Sequence, residues 1–101
     1  MPILALFTGD IDKSQYDALR KEVGWETNHA AGGIIHAAGV DDAGKMHVAD
    51  VWESPDALNA FVGTRLQPAL TKLRLPTPNV EVFPVHNLNA LSAIDRYKLD
   101  R

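Results

Sequence analysis

The chain opens on a continuous apolar run, Ile3-Leu4-Ala5-Leu6-Phe7-Thr8, closed by Gly9-Asp10. Its length and lack of alternation predict a strand buried on both faces. A helix start follows, where Asp12 can cap, Gln15 completes a capping box and Ile11 can staple against Tyr16. Tyr16, Leu19 and Val23 recur at helical spacing up to Gly24, a natural stop. Trp25 to Ala31 reads as a loop or a fraying turn. Gly32 to Val40 and Lys45 to Glu53 then pair as a hairpin around Asp41-Asp42-Ala43-Gly44. Ser54-Pro55 opens a second helix, whose apolar stripe runs through Leu58, Phe61, Val62, Leu66, Ala69, Leu70 and Leu73. Pro68 has no backbone N–H and must kink or restart that helix, which Pro76-Thr77-Pro78 ends. Val80 to Val85 forms the last strand, and Pro84 places it at a sheet edge.

The order βαββαβ predicts an α+β, ferredoxin-like domain over residues 1–87 with a four-stranded antiparallel sheet. Residues 88–101 form a C-terminal extension, in which Leu88, Leu91 and Ile94 suggest a short helix or a tail. Two helices cover only one face of such a sheet. An uncovered face should show clean alternation of apolar and polar residues, yet Ile3 to Phe7 and Val48 to Trp52 are largely apolar on both faces. A second apolar face calls for a partner or an enclosed cavity. A two-fold homodimer joined through the sheets is the simplest solution.

Composition narrows the partners. The net charge of −3, spread over intermixed signs, argues against nucleic acid, which demands clustered Lys and Arg. With no cysteine, disulfides, thiol nucleophiles and thiolate metal sites are excluded. No apolar stretch approaches the ~20 residues of a membrane span, and the N-terminus lacks the basic flank of a signal peptide. The expected setting is the cytoplasm.

Candidate chemistry lies on the hairpin. Asp50 and Trp52 are two apart on one strand and share a face. They offer an acceptor beside a stacking wall, with Val48 and Ile35 as further cavity-lining candidates. His36 and His47 sit on the two arms. With the tetrapeptide as the loop, His36 faces Ala49 and His47 faces Ala38, on the face opposite Asp50 and Trp52 unless a bulge at Gly32-Gly33 intervenes. In that pairing Asp50 and Trp52 face the cavity, and Ala38 and Ala49 are left to pack against the helices. The two histidines lack a third ligand, so no metal site is expected. His36 alone, or Asp50, is a candidate base. Arg65 and His86 are candidate rim residues. No phosphate-gripping loop or nucleophile elbow is present.

The segment Val48-Ala49-Asp50-Val51-Trp52-Glu53-Ser54-Pro55-Asp56-Ala57-Leu58-Asn59-Ala60-Phe61 resembles the strand-to-helix junction of the dimeric α/β-barrel superfamily, in its antibiotic biosynthesis monooxygenase group and that group's uncharacterised bacterial branch. Gly33 to Gly39 and Val80 to Asn87 are similar to other strands of that branch. The resemblance implies two subunits whose sheets close into a barrel with a cavity in each half. It implies activities ranging from cofactor-independent oxygenation of phenolic molecules to haem degradation and small isomerase or lyase reactions. Trp52 matches the tryptophan that borders the cavity. The first-strand asparagine and second-helix histidine of the haem degraders are both missing, which speaks against that activity. An oxygenase of this type, working without a cofactor, would use Asp50 or His36 as base and Trp52 as stacking wall. A module that only binds an apolar or aromatic small molecule, and a purely structural barrel in which Met46, Val48 and Ile35 pack across the two-fold, remain alternatives.

Overall fold

A computed structural model describes residues 1–99. In chain order the elements are β1 (Ile3–Thr8), α1 (Lys13–Val23), β2 (Gly33–Val40), β3 (Met46–Trp52), α2 (Pro55–Phe61), a π-helical turn (Val62–Leu66), α3 (Gln67–Leu73) and β4 (Asn79–Pro84), with a 3-10 turn at Ser92–Tyr97. The strands form one antiparallel sheet in the order β2-β3-β1-β4. This is the expected ferredoxin-like βαββαβ sheet. The apolar β1 lies inside it and β4, with its Pro84, lies at an edge. The last residues of the C-terminal extension, Asp100 and Arg101, lie outside the described residues.

Local chemistry sets the helix ends. Asp12 caps α1, accepting from the Gln15 amide at 2.8 Å, while the Gln15 side chain accepts from the Asp12 amide at 2.9 Å. Gly24 ends α1 in the left-handed region (φ 70°), and the Trp25 amide donates back to the Arg20 carbonyl at 3.0 Å. That closure turns Trp25 in toward the sheet. Ser54 caps α2 through the Ala57 amide at 3.1 Å. Pro68 does interrupt the long helix: the missing N–H falls just after a stretch whose hydrogen bonds reach one residue further back than in an α-helix.

The helices cover the face that bears Ile3, Ala5, Phe7, Val48 and Trp52, and Leu58 and Phe61 complete this core. Leu19 of α1 meets Ala69 and Leu70 of α3 in a second cluster. The other face carries Leu4, Leu6, Ile35, Ala49, Val51 and Phe83, by strand alternation and register. Ala49 thus lies away from the helices, contrary to expectation, whereas Ala38 faces them. Among the described residues no helix is long and apolar enough to cross a membrane.

The hairpin register differs from the sequence reading by one residue. Val40 pairs with Met46, so the loop is residues 41–45 rather than the tetrapeptide. Asp41 makes the longer loop: its Oδ1 accepts from the amides of Ala43 (2.9 Å) and Lys45 (3.0 Å), and Oδ2 bonds His47 Nε2 at 2.8 Å. The His47 bond first, then the Lys45 and Ala43 amides, hold the Asp41 carboxyl below its usual range. A bulge does exist, between Gly33 and Ile35. It lies at the far end of β2 from the turn, so the loop, not the bulge, sets where His36 points.

Gly32 anchors the return into β2. Its φ is +83°, and a Cβ there would come within 2.5 Å of Ala57 Cβ. Gly32→Ala should therefore destabilise the domain by about 1–3 kcal/mol. Thermal unfolding should show a drop in Tm of at least several degrees, since about 1 kcal/mol moves a domain of this size by roughly 4–8 °C.

Candidate functional site

With Val40 opposite Met46, His36 falls directly opposite Asp50. Directly paired residues of antiparallel strands share a face, so His36, Asp50 and Trp52 converge under the helices. The expectation that His36 points away from Asp50 is corrected, as is the pairing of His36 with His47. His47 lies opposite Gly39 on the other face. Among the described residues no three metal-ligating side chains gather.

The convergence is a hydrogen-bonded chain. His36 Nδ1 lies 2.7 Å from Asp50 Oδ1, and Trp52 Nε1 donates to Asp50 Oδ2 at 3.2 Å. Tyr16 Oη, from α1, lies 2.7 Å from His36 Nε2. The carboxylate can only accept, so Nδ1 carries the proton of the neutral ring, Nε2 is an acceptor, and the Tyr16 hydroxyl donates to it. Asp50 is 3% exposed and Trp52 fully buried. Two donors to one buried carboxylate offset the cost of taking it out of water.

Aromatic rings enclose this chain. Trp25 lies over His36 with ring centroids 4.4 Å apart and meets Phe61 edge-on at 5.3 Å. Trp52 packs behind it, 6.0 Å from Trp25 and 5.1 Å from Phe61. A cavity of about 80 Å³ lies between α1, α3 and the sheet. Its walls include Phe7, Leu19, Met46, Val48 and Phe61, with Tyr16, His36, Asp50 and Trp25 at one end and the exposed Pro76 at its rim. Burial first, then the charge of Glu26, pushes the Tyr16 hydroxyl up to about 12. Arg20, also on the wall, is buried and engaged by Asp17 (2.9 Å) and Glu26 (2.5 Å).

The remaining sequence candidates fall elsewhere. Val48 lines the cavity. Ile35 does not, because its place next to His36 on β2 turns it to the other sheet face. Trp52 is not a wall but the buried support of Asp50. The wall is Trp25, from the loop that follows α1. Arg65 is no rim cation: it donates to the carbonyls of Val23 and Asn28, both at 2.5 Å, and sits over the Phe61 ring, bracing the loop that carries Trp25. His86 is exposed beyond β4 and does not line the cavity. The sequence pattern assigns Tyr16 to the α1 stripe and to a staple with Ile11, not to the site. The usable signals were a phenol on a buried stripe, whose hydroxyl needs a partner, and a tryptophan directly after a glycine stop, where a helix-closing apolar contact is common.

Tyr16 supplies a pH prediction. Its hydroxyl is held neutral in the fold, with its pKa raised from 10.0 to about 12. Its contribution to stability is full below pH 10 and is lost as pH rises through about 12. Ultraviolet titration should show one tyrosine ionising late, and Tyr16→Phe should remove that late step.

No protein-family model matches the chain, and no curated protein matches it. Solved structures do. Rv0793 from Mycobacterium tuberculosis superposes with a TM-score of 0.65 at 14% identity, over 89% of this chain and 100% of that one. A protein assigned as an antibiotic biosynthesis monooxygenase, from Chloroflexus aurantiacus, gives 0.63 at 17% identity, over 88% and 98%. SnoaB, a cofactor-independent oxygenase from Streptomyces nogalater, gives 0.61 at 16% identity, over 86% and 93%. At these identities the likeness is one of fold, and the chain has the ferredoxin-like fold that these structures share.

Proposed function

We propose that this protein is an enzyme that removes a proton from a phenolic or enolisable small molecule inside an apolar cavity, and that it works as a cofactor-independent monooxygenase. The observation that carries this reading is the His36–Asp50 pair, 2.7 Å apart, on the wall of a mostly apolar cavity. Asp50 fixes the tautomer that leaves Nε2 as the base and stabilises the imidazolium that forms on proton transfer. The mostly apolar walls weaken the screening of that charge. The deprotonated substrate then reduces O2 itself: its carbon bonds oxygen as a peroxide, which takes a proton and loses water to leave a ketone. The fold shared with SnoaB, a cofactor-independent oxygenase, supports the reading.

Oxygen uptake with an anthrone or a simple phenol tests it. His36→Ala and Asp50→Asn should each lower turnover by roughly 10²–10⁴-fold, the range of a lost general base. Full turnover in both variants would refute it.

A homodimer formed through the uncovered sheet face belongs to the same reading. Leu4 and Leu6 flank the centre of that face, and Phe83 is 45% exposed on it. Sedimentation velocity should give twice the monomer mass, and Leu6→Glu should shift it to the monomer.

A further inference from the structure

The hydrogen-bonded chain ends not at His36 but at Tyr16, whose hydroxyl occupies Nε2, the nitrogen a base must use. A substrate acid that reaches His36 has to displace that hydroxyl. We infer that Tyr16 is a catalytic residue of this site and that it donates its hydrogen bond to the oxyanion of the substrate, so that one acidic oxygen is held between the Tyr16 hydroxyl and His36 Nε2. This rests on the reading of His36 as base and adds the group that receives the charge.

The proton balance is simple. The substrate O–H bond breaks, its proton forms a bond to Nε2 of His36, and its electron pair stays on oxygen. Asp50 faces the resulting imidazolium at Nδ1. Tyr16 keeps its own proton, and its O–H rotates from Nε2 to the new anion. A phenol held neutral up to about 12 suits a donor and not a second base. Of the other charges that act on Tyr16, Arg20 bonds Asp17 and Glu26, while one buried Glu26 oxygen has no hydrogen-bond partner. The oxyanion therefore has Tyr16 and the imidazolium as its partners.

The same geometry limits the ligand. The rest of the wall is mostly apolar, with Phe7, Leu19, Met46, Val48 and Phe61 among its residues. The space of about 80 Å³ opens at its rim and is roughly half that of a cavity that takes up benzene, so it receives the oxygen-bearing edge of a ring rather than a whole molecule. The fitting class is a lipophilic molecule with one acidic oxygen at the edge of a ring, inserted oxygen first.

Binding of para-nitrophenol, followed by the visible absorbance of its phenolate, tests the assignment without turnover. The wild type should hold the probe as phenolate at a pH where the free probe is mostly phenol. Tyr16→Phe should weaken phenolate binding roughly tenfold or more, the worth of one hydrogen bond to a charged group. Binding of para-nitroanisole, which has no acidic proton, should stay as in the wild type, showing an intact pocket. His36→Gln should bind the probe as neutral phenol. Phenolate binding by Tyr16→Phe as tight as by the wild type overturns the inference. So does a neutral or unbound probe in the wild type, or a parallel loss of para-nitroanisole in Tyr16→Phe. Phenolate held by the wild type but no oxygen uptake would leave the role of Tyr16 standing and remove the oxygenase reading.

Discussion

The site depends on the register of a single hairpin. A strand slipped by one residue turns every side chain to the opposite face, and here the slip would put His36 against Ala49 with its back to Asp50. What prevents it is the Asp41 turn. One carboxylate oxygen collects the Ala43 and Lys45 amides, and the other takes the His47 side chain. An exposed turn at the tip of the hairpin thus decides which residues meet in the buried middle of the sheet.

Once His36 and Asp50 face each other, burial makes the pair consequential. A carboxylate in the core is costly unless its oxygens are satisfied. His36 and Trp52 supply one donor to each oxygen. Trp52 is fixed in turn by its packing against Phe61 and Trp25, and its ring approaches Gly33 closely enough that a Cβ there would touch it at 3.6 Å. The residue that looked like a cavity wall therefore works one layer behind it. Trp25, half-buried, takes the place on the cavity wall, carried on a loop that Arg65 holds through two carbonyls. The aromatic cluster and the polar chain support one another: the rings exclude water from Asp50, and the hydrogen bonds fix the rings.

The two sheet faces divide the work. The helix-covered face holds the polar chain and the cavity, while the other is largely aliphatic and aromatic, with Thr8, His47 and Asn79 at one end and Glu81 opposite Leu6. This division explains why the interior strands read as apolar on both faces. It also separates the cavity from the surface proposed for dimerisation, so contacts there leave the His36–Asp50 pair undisturbed.

The elements were legible because their signals are local. Asp12 with Gln15, Gly24, Ser54-Pro55, Pro68 and Pro84 each act within a turn or two of the chain, and the observed bounds follow them. The pairing of Asp50 with Trp52 on one face was equally local, since alternation along a strand is fixed by covalent geometry. The partners across space were not. Whether the hairpin loop ends at Gly44 or Lys45 rests on hydrogen bonds from the Asp41 side chain, and composition admits both. Tyr16 meets His36 only because α1 packs over β2, and Trp25 becomes a wall only because the left-handed Gly24 turns the chain back over the sheet. The sequence by itself determined the elements, their order and an apolar sheet with an acid in its midst. Tertiary packing decided which base that acid would hold, because the choice depends on one residue of register and on a helix delivered from a distant part of the chain.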